Sequence, residues 1–99
     1  MQYSYAWEKL HAAVFSLIGP ESLHKRLEAA YMHFVISRIE PSQLPEDIRA
    51  DFSSLKNKLR QKGIGIKAMV NGMSESEAYD NAKAILSMYD SVCRYQKPY

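Results

Sequence analysis

A single cysteine, Cys93, stands in the 99 residues. One thiol excludes an intramolecular disulfide framework and any zinc site built on cysteines, so the fold has to rest on its core. Cys93 itself reads as a small core hydrophobe with no histidine beside it in sequence, not as a nucleophile. Glycine and proline are sparse, four of each, which leaves no linker long enough to separate one domain from another, and residues 1–99 are expected to form one. No apolar run approaches the ~18 residues that span a bilayer. The N-terminus has no basic segment leading into an apolar stretch and a small-residue cleavage site. These absences predict a cytoplasmic protein with no membrane partner. Also missing is a phosphate loop: "GIG" lacks the lysine and hydroxyl residue that must follow it. Neither a cofactor motif nor a small-molecule substrate site is legible. Net charge is only +2, so polyanion binding would have to come from local clustering.

What is present is an ordinary globular balance, 46% apolar and 24% charged, with apolar residues at helical spacing. The first helix is expected over Ser4–Ile18, with Tyr3, Ala6, Trp7, Leu10, Ala13, Val14, Leu17 and Ile18 on one side. Gly19 is placed to end it in the left-handed conformation, and Pro20 to open the next helix. That second helix, about Pro20 to Ile39, carries two stripes. Leu23, Leu27, Ala30, Tyr31 and Phe34 form one; Met32, Val35, Ile36 and Ile39 form another on roughly the opposite side. A helix apolar all round is either central in its own fold or half covered by another chain.

Pro41 stops this helix, and "PEDIRADFSSLKNKLRQKG" begins another with acids first and bases last, the polarity a helix dipole favours. Its stripe is narrow, Ile48, Phe52, Leu55 and Leu59, which predicts an outermost position. Residues 64–73 fit a strand by alternation and a helix by Ile66, Met69, Val70 and Met73; without a partner strand the helix is favoured, closed by Asn71 and Gly72. Ser74 and Glu77 hold capping-box spacing ahead of a last helix from Glu75 to about Tyr95. Its stripe is Ala78, Ala82, Ile85, Leu86, Tyr89, Val92 and Cys93. Four long helices and one short one predict an all-α antiparallel bundle with both termini at one end.

The candidate functional residues follow from that frame. Surplus apolar helix surface and terminal tyrosines predict a small non-enzymatic protein-interaction module, an adaptor, inhibitor or regulatory subunit. Its contact residues would be Met32, Val35, Ile36, Ile39, Tyr3, Tyr5, Tyr95 and Tyr99, and self-association through the second stripe is the favoured arrangement. The alternative is nucleic-acid binding along a ridge of Arg49, Lys56 and Arg60, which share one face of the third helix. That ridge has no aromatic for base stacking.

Two further patterns carry chemistry on paper. In "RLEAAYMH" six residues separate Arg26 from His33, and at about 100° per residue the pair shares a helical face. This spacing resembles the arginine–histidine motif of HEPN-domain ribonucleases, small helical bundles that commonly dimerise with two motifs face to face. The resemblance covers those residues alone. It departs from the family where Leu27 replaces a polar residue after the arginine, and in lying on the second helix instead of late in the domain. The reading adopted is that Arg26 is solvated, His33 borders the core and neither is catalytic. His24 and Glu28, one turn apart, lack further ligands for a metal.

Overall fold

The computed structural model describes residues 3–61 and 65–95, and it is an all-α bundle of four long helices and one short one. The helices are α1 (Ser4–Leu17), α2 (Leu23–Ile36), α3 (Glu46–Gln61), the short α4 (Ile66–Asn71) and α5 (Glu75–Arg94), with a 3-10 turn at Pro41–Gln43 before α3. Among the described residues no helix is long and apolar enough to cross a membrane.

Side-chain pairs fix the directions. Tyr3 meets Tyr95 edge to face at 5.7 Å, and His11 bonds Tyr89 at 3.0 Å, so α1 and α5 run antiparallel and the start of α1 lies by the end of α5. His24 reaches Met73 and Tyr31 reaches Asn81, so α2 and α5 run the same way. The core between them is Leu10, Leu27, Ala30, Tyr31, Phe34, Phe52, Ile85 and Val92, with Phe34 against Phe52 at 5.9 Å joining α3 to α2. Only one flank of α3 is buried, at Ile48 and Phe52, as its narrow stripe implies.

Several helix ends fall where side chains can satisfy the terminal backbone groups. Ser74 and Glu77 form the reciprocal capping box at 3.0 and 3.1 Å. Backbone and side-chain hydrogen bonds from Ser74 hold the Glu77 carboxyl below its ordinary range. The second helix starts at Leu23, not Pro20, because Ser22 Oγ accepts the Lys25 N–H at 3.3 Å and proline has no such acceptor. Gly19 is not left-handed: among the described residues the only positive φ is 48°, at Gly65 ahead of α4. The α1 terminus is closed by Arg26 instead, whose Nη1 donates to Leu17 O at 2.8 Å and whose Nε donates to Glu21 O at 3.0 Å. Ile18, expected on the core side, is exposed just beyond that closure.

The other end of α2 departs most from periodicity. Helix geometry stops at Ile36, and Ser37 is extended, with ψ 151°. Ser37 Oγ donates to Phe34 O at 3.2 Å, and Lys56 Nζ from α3 donates to Ser37 O at 3.1 Å. Leaving the helix here swings Ile39 off the outer stripe and into the core, where it is 4% exposed. On α5 the buried arc is rotated from the expected one: Met88 and Ser91 are inside, and Leu86 is outside. The packing explains it, since α1 covers the Tyr89 side while α2 and α3 cover the side of Asn81 and Met88.

Candidate protein-binding surfaces

Stopping α2 at Ser37 leaves the preceding turn uncovered. Met32, Val35 and Ile36 stand in solvent, Ile36 at 68% exposure, and their i, i+3, i+4 spacing makes them neighbours on one face. Beside Val35 is a notch of about 150 Å³ between α2 and α3, lined by Phe34, Val35, Leu59, Lys56 and Arg60. The expected apolar stripe and the expected basic ridge therefore adjoin. Neither Lys56 nor Arg60 has a carboxylate within 4.0 Å among the described residues, so the cationic edge is uncompensated.

The remaining predicted contact residues divide. Ile39 is a correction, being core and not surface, because the helix ends before it. Tyr3 is a second correction: at 8% exposure it is packed under Tyr95. Tyr5 is half-buried, and its hydroxyl accepts the Arg38 N–H at 3.2 Å while Lys9 Nζ sits 5.5 Å from its ring centre. Tyr95 is exposed. Tyr99 and the tail "QKPY" lie outside the described residues.

Most of the ridge is occupied with holding the fold. Lys56 closes α2 through Ser37 O and lies 5.8 Å from the Phe52 ring centre, and Arg49 Nε donates to Leu44 O at 3.0 Å. Arg60 is the exposed member. A groove of about 320 Å³ brings Arg38 next to Lys56 and Arg60, with Glu40 on the same wall.

Arg26 and His33 serve different neighbours. Arg26 donates through Nε and Nη1 to backbone carbonyls at and just beyond the end of α1. His33 Nε2 lies 3.2 Å from Ser16 Oγ, which itself donates to Ala12 O at 3.3 Å, so the imidazole is the donor of that pair. Arg26 is thus a helix cap and not a solvated side chain. His24 Nε2 donates to Met73 O at 2.9 Å. Among the described residues no three histidine, cysteine or carboxylate side chains converge on a point that would hold a metal.

One feature was open to sequence reasoning and not found by it. Trp7, His11 and Phe15 are spaced four apart on α1 and form a ladder, stacked at 4.7 Å and then edge to face at 4.9 Å. Tyr89 closes on it from α5, 6.3 Å from Trp7 and 5.8 Å from His11. Burial, and then the neighbouring Cys93 thiol, push the Tyr89 phenol above its ordinary range. The ladder emerges into solvent at Phe15.

No family model, curated protein or solved structure matches the chain.

Proposed function

We propose that this chain is a non-enzymatic protein-interaction module whose docking face is the second half of α2. The observation that carries the reading is the adjacency of exposed Met32, Val35 and Ile36 to a notch large enough for one apolar side chain. A folded monomer gains nothing by presenting such a turn to water, and exposed apolar patches mark contacts. Lys56 and Arg60 at the edge favour a partner whose apolar anchor is flanked by carboxylates. A second copy of this chain is the other occupant the face admits, by two-fold pairing of α2 on α2. Arg60, with no carboxylate within 4.0 Å among the described residues, argues for the acidic partner first. The nucleic-acid alternative is less well supported, since Arg49 and Lys56 are engaged with backbone carbonyls. A lone thiol suits a reducing compartment, and we place the module in the cytoplasm.

The test uses the parent and Ile36→Glu, whose circular dichroism should coincide because the side chain is already in solvent. Affinity capture from the native host should retain a protein on the parent that Ile36→Glu loses. A concentration-dependent dimer in sedimentation, abolished by Ile36→Glu, assigns the face to a second copy. A monomeric parent whose captured proteins are unchanged by the substitution refutes the reading.

A further inference from the structure

A cleft of about 570 Å³ runs along the seam of α3 and α5. At about 100° per residue it lies about 130° around α3 from the notch, so the two cavities use different flanks of that helix. Its apolar lining includes Ile48, Leu55 and Met88, and its edge includes Asp47 and Asp51, one helical turn apart. Neither carboxylate has an ion-pair partner within 4.0 Å among the described residues, and Arg94, whose guanidinium feels the Asp47 charge, is held by Asp90 at 2.7 Å. Like charges at this spacing repel within a helix, so the pair destabilises α3 slightly. A second, independent feature points into the same space. Ser91 is 8% exposed and lines the cleft, yet its hydroxyl makes no hydrogen bond to a described residue. Buried polar groups without a partner are rare in folded proteins and call for one.

We propose that this cleft binds a small aliphatic ammonium ligand. An ammonium has three donors, and the cleft offers three acceptors that make no side-chain hydrogen bond or ion pair among the described residues, Asp47, Asp51 and Ser91. The methylenes of the ligand lie along Ile48, Leu55 and Met88, which a bare metal ion would leave uncovered. Among the described residues no three histidine, cysteine or carboxylate side chains converge here to hold a metal ion. The site is distinct from the α2 face and does not rest on the protein-binding reading.

An NMR titration of the full chain with butylamine at low ionic strength tests this, with butanol as the uncharged isostere and magnesium as the metal control. Saturable shifts at Asp51, Met88 and Ser91 are expected with butylamine alone, fading as salt is raised. Asp51→Asn removes the carboxylate repulsion, so it should fold at least as well as the parent while binding about tenfold more weakly. Ser91→Ala should fold normally and bind several-fold more weakly. No saturation, equal shifts with butanol, a response to magnesium alone, or unchanged affinity in Asp51→Asn would each overturn the proposal. None of these results bears on the Ile36→Glu experiment.

Discussion

Truncating two isoleucines three positions apart measures where α2 ends. If the helix ran on to Ile39, as its spacing suggests, Ile36 and Ile39 would share the outer face and Ile36→Ala and Ile39→Ala would cost alike. In the structure Ile36 is 68% exposed and Ile39 is 4% exposed. Removing a side chain as buried as Ile39 forfeits its transfer free energy and leaves a cavity, together about 2–4 kcal/mol. Ile36→Ala loses little burial and gains slightly in helix propensity, for a net change within about 0.5 kcal/mol. Against the roughly 5–15 kcal/mol that holds a domain of this size, the first loss is large. It corresponds to a fall in Tm of about 10–25 °C, against a few degrees for Ile36→Ala. Urea unfolding followed by circular dichroism gives both values, and m should stay constant, showing that the midpoint reports stability and not a changed denatured state. Equal losses, or a greater loss from Ile36→Ala, would refute the break at Ser37 and the exposed face built on it.

Alkaline titration should find the Tyr89 phenol raised and the Tyr31 phenol pushed up by burial to about 12. Because the unfolded chain releases that proton at its ordinary, lower pKa, stability should decline as pH rises from about 10 towards 12, and Tyr31→Phe should abolish that part of the decline. The same substitution leaves Asn81 Oδ1 without its 2.9 Å donor and should cost about 1 kcal/mol at neutral pH. Arg26→Ala should lower stability by about 1–2 kcal/mol through the uncapped α1 terminus. Mixed RNA incubated with the parent should remain as intact as with Arg26→Ala or His33→Ala; cleavage by the parent, lost in both variants, would make the chain an enzyme. Replacing Arg49, Lys56 and Arg60 together with Ser should destabilise by about 1–3 kcal/mol, since two of them hold carbonyls, and fluorescence anisotropy should show only weak, salt-sensitive polyanion binding by the parent.

The helices and their order were legible because each long one carries a stripe at helical spacing, and the start of α5 was legible to the residue because Ser74 and Glu77 satisfy each other locally. The end of α2 was not. Periodicity carries Met32, Val35, Ile36 and Ile39 as one set, and the interaction that divides them, Lys56 on Ser37 O, joins residues 19 apart. The same limit hid the α1 cap, where Arg26 reaches back nine positions to Leu17. The rotation of α5 was illegible for another reason: Leu86 and Met88 are equally apolar, and only the placement of α2 and α3 decides which turns inward. Of the candidate face, Met32, Val35 and Ile36 could be read from the sequence. The notch beside them needed two helices brought together, as did the cleft.

Helix α3 supplies a wall to both cavities, with Leu59 and Lys56 towards the notch and Asp51 and Leu55 towards the cleft. Two sites that share one rigid partition are thermodynamically linked whenever filling either of them shifts that partition. Reciprocity then fixes the terms: the factor by which an occupant of the cleft changes affinity at the notch equals the factor by which an occupant of the notch changes affinity at the cleft. Among the described residues, the only side-chain hydrogen bond tying α3 to another α-helix or its cap is Lys56 to Ser37 O, while histidine bonds join α1 to both α2 and α5. The partition is therefore the least tethered of the long helices, and the one whose displacement would carry a signal from one side of the molecule to the other.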